Sequence, residues 1–300
     1  MNLKVKNKIK SIGTAYLFML PALLLITFYM VYPAIKTVIM SFYDWDGFSS
    51  VGAEFVGIAN YAKMLKMPKF WNALENNVIY TLCVVVTTVV MGMLLAIPID
   101  RCIRGWKVFK FAFYIPTMLS VTVVGMLFKQ ILEPNNGLLN SLLIACGLES
   151  WAMSWLSDPD IAMWVVLAVV TWQYAGTTML LFLAAMASIP NDVHEAATLD
   201  GVSEVSRFFK ITLPIIKRPV MVVVMLQLIF GFKSYDIFAV LTKGGPGTTT
   251  QVLSLLVTQT AFKNGQYGLA CAIAVVMIVI VSIISVFYIR QSKLGDQDVE

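Results

Sequence analysis

The residues able to do chemistry unaided are few, and their spacing excludes most of it. His194 and Glu195 begin the spelling His-Glu-x-x-His, in which two imidazoles one helical turn apart hold zinc and the glutamate acts as base. The second imidazole would stand at residue 198, which is a threonine, and His194 is the single histidine. No metal site is expected. The cysteines Cys83, Cys102, Cys146 and Cys271 show no Cys-x-x-Cys spacing, so neither a disulfide framework nor a thiolate site follows. Phosphate chemistry would need Gly-x-x-x-x-Gly-Lys-[Ser/Thr] between a strand and a helix. That pattern is absent, and the Gly-Gly-Pro at 244–246 makes a turn rather than a phosphate cradle. No Ser or Asp dyad suited to an intramembrane enzyme lies in the apolar runs. The chain is therefore expected to carry no catalytic residue and to bind no cofactor of its own.

The elements that hold these residues belong to a membrane protein. The 300 residues are 59% hydrophobic and 13% charged, with a mean hydropathy of +0.80, more apolar surface than one soluble core would bury. The net charge of +5 comes from short basic clusters beside apolar runs. That placement reads as membrane orientation, not as a nucleic-acid surface.

Hydropathy predicts an all-α chain with six transmembrane helices. Residues 1–11 are a lysine-rich cytoplasmic amino terminus, and 12–42 a first helix containing Pro21 and Pro33, too long for a secretory signal. Residues 43–76 form an ordered external loop. The remaining core, 77–300, holds five helices. The second, Asn77 to Ile99, is rich in Val and Thr, yet in lipid only a helix satisfies its own backbone over that length. The third, from about Phe109 to Leu132, is expected to kink at Pro116. A short amphipathic helix after Glu133 precedes the fourth, Ile161 to Ala187. The fifth runs to about Leu241, and the sixth from Tyr267 to Ile289. Fourteen of the 22 Lys and Arg fall in the segments this assigns to the cytoplasm, so both termini are placed inside a multi-pass membrane protein.

Between the fourth and fifth helices, residues 189–214 are too polar to lie in lipid. Asn191 and Asp192 are good helix starters, and Gly201 can take the left-handed turn that ends a helix reaching Asp200. Ser203 can cap a second helix, which the proline at 214 is expected to stop near Leu213. The product is a helix-Gly-helix hairpin facing water.

This hairpin resembles the EAA loop of the membrane subunits of ATP-binding-cassette importers. The matching residues are Glu195, Ala196, Ala197, Gly201, Ile211, Leu213 and Pro214, with Ile189-Pro190 and the Leu199-Asp200 pair as in carbohydrate importers. Three external segments resemble the same family: Phe55-Val56-Gly57 with Asn60-Tyr61, Pro134 and Gly137 with Leu138-Leu139-Asn140, and Thr242 with Gly244-Gly245-Pro246. The resemblance implies a type I importer permease in a prokaryotic cytoplasmic (inner) membrane. Its implied partners are a homologous second permease subunit, an ATPase dimer that holds the ATP and magnesium, and an extracellular solute-binding protein. The ATPase-coupling residues it implies are Glu195, Ala196, Ala197, Asp200, Gly201, Leu213 and Pro214.

A sugar or related polyol is the implied substrate. Sugar sites combine aromatic faces with hydroxyl-binding polar groups, so the pathway candidates are Trp172, Gln173, Tyr174, Thr177, Gln227, Phe230 and Tyr235. Aromatics in spans also serve as packing or interface anchors. Lys233 and Asp236, three residues apart, are expected to share a helical face and neutralise each other, either in an aqueous pathway or at the interface. The rival reading is a secondary transporter driven by an ion gradient, which would use acidic residues near mid-membrane and broken half-helices.

Overall fold

The computed structural model describes residues 18–47, 52–101 and 104–294. The basic amino terminus, Cys102 and the tail beyond residue 294 lie outside the described residues. In chain order the elements are α1 (Phe18–Met40), β1 (Tyr43–Asp44), β2 (Glu54–Phe55), α2 (Ala59–Leu65), α3 (Pro68–Asp100), α4 (Trp106–Met118) and α5 (Val121–Ile131). There follow α6 (Leu138–Ala145), α7 (Ala162–Met186), α8 (Asn191–Leu199), α9 (Glu204–Arg207), α10 (Lys217–Lys233), α11 (Asp236–Leu241), α12 (Leu253–Thr258) and α13 (Tyr267–Leu294). Among the described residues five helical spans are long and apolar enough to cross a membrane, and α4 with α5 makes a sixth if the bent pair is one span.

The chain forms two compact units, one of the described residues up to Lys66 with Val257–Val276, the other of Met67–Leu256 with the described residues from Met277. In the first, β1 and β2 pair antiparallel, Tyr43 opposite Phe55. Behind them Asn60 donates both amide hydrogens, to the carbonyls of Ser41 (3.0 Å) and Tyr43 (2.9 Å). The Tyr61 hydroxyl meets the Ser41 hydroxyl at 2.7 Å.

In the second unit α3 and α7 lie along each other, close enough at Gly92 that a Cβ there would meet Thr178. One apolar cluster is built on Tyr80, Val84, Val166, Val170, Phe238 and Leu255, and another on Ile99, Met179, Phe182, Ile189 and Ile216. Two loops of this unit are fastened by the same chemistry. Asn140 donates to the carbonyls of Pro134 (2.9 Å) and Met153 (3.0 Å), and Asn76 to those of Thr248 (3.0 Å) and Gln251 (2.9 Å).

Four expectations need correction. Helix α3 begins at Pro68, well before Asn77, so part of the expected external loop is already helical. The third span does not merely kink at Pro116: α4 and α5 are bent by 98° at Leu119–Ser120. Leu119 is extended (φ −79°, ψ 141°), and its carbonyl accepts from Gln173 Nε2 at 3.1 Å while Thr117 Oγ1 donates to the Gln173 carbonyl at 2.7 Å. A break inside a span is tolerated where neighbouring side chains satisfy the freed backbone in this way.

The fifth span is likewise interrupted, since α10 ends at Lys233 and α11 starts at Asp236. Lys233 and Asp236 therefore flank a break instead of sharing a face, and the described residues show no ion pair between them. Finally, Pro214 does not stop its helix. Leu213 keeps helical angles, and its N–H reaches back five residues to Phe208 O across a widened π-turn over Phe208–Thr212. The wider turn makes room for the proline ring, and the chain stays helical to Ile215. The same device precedes Pro33, where Tyr32 N–H bonds to Thr27 O.

Candidate functional site

The polar hairpin is built from α8 and α9. Its first helix starts one residue earlier than the capping rule suggests: Pro190 is the N-cap, without a side-chain bond, and Asp192 sits in the first turn, where the helix dipole favours an acid. The other end is a Schellman turn. Val202 N–H bonds to Ala197 O and Gly201 N–H to Thr198 O, both at 3.1 Å, with Gly201 at φ +66°. Open space surrounds Gly201 where a Cβ would stand, so its glycine is required by backbone angle and not by crowding. Ser203 then caps α9, its hydroxyl accepting from Ser206 N–H at 3.4 Å.

The hairpin has an inward and an outward side. Ala197 is buried, and Ile189 and Ile216, at the two ends of the loop, lie in the cluster with Met179 and Phe182. Glu195, Ala196, Asp200 and Pro214 are exposed and Leu213 is half-buried. His194, Glu195, Thr198 and Leu199 line a shallow depression of about 380 Å³. Leu199 is 88% exposed, and Val205 and Phe209 are exposed with it. Exposed large apolar side chains beside a carboxylate, in a loop too polar for lipid, have the composition of a docking face. The sequence marks Leu199 through the Leu199-Asp200 pair of the carbohydrate-importer resemblance, and leaves Val205 and Phe209 unmarked.

The hairpin also carries a charge cluster that spacing did not reveal. Glu204, in the first turn of α9, pairs with Arg101 at the end of α3 (2.5 Å) and with Arg207 (3.0 Å). Asp100, Arg101, His194 and Arg207 line one small cavity with Phe208 and Thr212.

The pathway candidates fall around the two helix breaks. Gln173 is fully buried on α7 and holds the first break through its bond to Leu119 O, while its Oε1 is buried with no partner. Trp172, half-exposed, packs its ring edge-on to Phe128 of α5 at 5.2 Å. Tyr174 and Phe230 form a tilted pair at 4.6 Å. Gln227 Nε2 donates to Thr178 Oγ1 at 2.9 Å, joining α10 to α7, and the Thr177 hydroxyl is buried without a partner. Tyr235 lies in the second break, half-buried, with Lys233 and Asp236 exposed on either side. At that break the Tyr80 hydroxyl meets Ser234 Oγ at 3.3 Å, and Ser254 Oγ donates to Ser234 O at 2.5 Å. Thus Tyr174 with Phe230 brings two candidates together, whereas Gln173 and Gln227 are engaged between helices.

Comparison with known proteins fits this geometry. Residues 85–294 match the family described as the binding-protein-dependent transport system inner membrane component. The probable ABC transporter permease protein YurN of Bacillus subtilis is 36% identical over 94% of this chain and 97% of its own length. The multiple sugar-binding transport system permease protein MsmF of Streptococcus mutans is 33% identical, covering 92% of this chain and 94% of its own. A solved bacterial ABC transporter involved in the import of the acidic polysaccharide alginate has a chain of the same fold, with a TM-score of 0.84, 21% identity and 97% and 98% of the two chains covered. The chain therefore belongs to the inner membrane components of binding-protein-dependent transport systems and is a non-catalytic ABC importer permease.

Proposed function

We propose that this permease carries a sugar or related polyol, accepted from an external binding protein, and that it is driven by ATPases docked on the α8–α9 hairpin. The single observation that carries the docking reading is the outward face of that hairpin, where a leucine 88% exposed to water sits against Glu195 in one shallow depression. The ATP and magnesium belong to the partner ATPases. A homologous second permease completes the membrane part, and both termini face the cytoplasm. The sugar class is supported by the name of the Streptococcus mutans relative and by the Tyr174–Phe230 pair beside polar groups of α7 and α10. Interconversion of inward and outward access follows from tilting helices whose breaks already separate them into halves.

The test is direct. Leu199→Asp puts a second charge into the docking face; the permease should still insert, but the ATPase should be lost on co-purification, with uptake falling at least about tenfold. Full retention of the ATPase in that variant removes the face from the contact. A second reading, coupling to an ion gradient, draws on the interrupted helices and on Asp236 beside one break. Uptake into right-side-out vesicles separates the two: dependence on a proton or sodium gradient without internal ATP would establish the rival.

A further inference from the structure

We infer that α3 is a tie-rod that mechanically joins the cytoplasmic hairpin to the external Thr-Lys-Gly-Gly-Pro loop, with Arg101 at one end and Asn76 in the third turn from the other as its positioning residues. The inference rests on the docking role proposed for the hairpin, and it assigns a route for motion that no sequence motif marks.

Three observations build it. First, α3 is one unbroken helix of 33 residues, about 50 Å long at 1.5 Å per residue, while of the spans beside it α4–α5 is bent by 98° midway and α10–α11 is interrupted at Ser234–Tyr235, toward one end. A push on one end of α3 is delivered to the other; a push on an interrupted span is absorbed at its break. Second, the inner end is fastened to the hairpin by charge. Arg101 reaches Glu204 at 2.5 Å, and Arg207 holds the same carboxylate oxygen at 3.0 Å from the other side. The hairpin has covalent links to α7 and, through Ile216, to α10; its link to α3 is this clamp together with the apolar cluster that Ile99 shares with Ile189 and Ile216. Third, the helix is fastened to residues 248–253 from its third turn. Asn76 donates to Thr248 O and Gln251 O, and the neighbouring Asn77 accepts from the Leu253 N–H at 3.1 Å.

The external loop is itself stiff enough to be moved as a body. Thr250 Oγ1 bonds to Gly245 O and to Thr242 Oγ1, both at 2.7 Å, and Lys243 N–H closes the end of α11 on Phe238 O. A displacement of the hairpin by its ATPase therefore appears outside as a displacement of the Gly-Gly-Pro loop. By reciprocity, a partner pressing on that loop acts on the hairpin.

The experiment uses the complex as purified from its native membrane, in lipid nanodiscs, with the native cysteines replaced by serine and Thr248→Cys as reporter. The rate of reaction with a maleimide is read with and without ATP plus vanadate, and ATP hydrolysis is measured on the same samples. With Arg101 and Asn76 intact, the nucleotide should change the labelling rate about fivefold or more. Arg101→Gln and Asn76→Ala should each reduce that change to less than about twofold while hydrolysis continues, and Arg101→Lys should restore it. A full nucleotide response in either Arg101→Gln or Asn76→Ala overturns the tie-rod. A complex that carries no ATPase at the outset overturns instead the docking reading beneath it.

Discussion

Helices α3 and α7 are continuous, whereas the α4–α5 and α10–α11 spans are each broken, and the two kinds are not independent. The continuous helices each contribute a polar group to one of the breaks. From α7, Gln173 donates to the free carbonyl of Leu119; from α3, Tyr80 meets the hydroxyl of Ser234. The halves beyond the breaks then pack on each other, α5 against α11, at Gly125 beside Val240. A break in lipid is a cost only while its backbone groups lack partners. Here one pair of helices is the frame and the other pair is the part divided into segments that can tilt.

This contrast can be attacked in order of severity. Gly176 lets α7 approach α4 so closely that any Cβ would strike the Phe113 carbonyl. Gly176→Leu should separate frame from segment, at about 3 kcal/mol or more, and appear as loss of the monodisperse peak in detergent chromatography; a normal elution profile would show that the close approach is dispensable. Gln173→Leu keeps the volume but leaves Leu119 O without its donor. A loss of about 2 kcal/mol, read as a lower midpoint of unfolding in detergent, is expected whatever the substrate. If stability is unchanged and only uptake falls, Gln173 belongs to the pathway and not to the frame. Tyr80→Phe removes the longer bond to Ser234 but keeps the ring on Phe238 at 4.7 Å, so about 0.5–1 kcal/mol is the expected cost. An effect larger than that of Gln173→Leu would reverse the ranking of the two breaks.

Much of the fold was legible because lipid leaves few alternatives. Hydropathy located the apolar spans, and Gly201 and Ser203 announced the hairpin turn through backbone angle and capping chemistry. What spacing could not show was anything decided by a residue from another helix. Residues 119 and 234 look ordinary in their runs; they become breaks because Gln173, Tyr80 and Ser254 wait beside them in the folded chain. Lys233 and Asp236 were read as helical neighbours because the break between them leaves no mark of its own. Pro214 was read as a stop, although the residue before it stays helical once the preceding turn widens to five-residue bonds. Within the hairpin, the family-like residues Glu195 to Gly201 were visible, but the Arg101–Glu204 clamp joins charges from distant segments, and only the fold brings them to 2.5 Å.

The three asparagine fastenings share one chemical demand. Asn60, Asn76 and Asn140 each direct a single nitrogen at two main-chain oxygens, all between 2.9 and 3.0 Å away. A carboxamide has two hydrogens on that atom and so satisfies both acceptors; an aspartate of identical shape would bring a third oxygen, and a negative one, into their midst. Slow hydrolysis of the side-chain amide, which exchanges one atom and adds no bulk, would thus turn each rivet into a wedge.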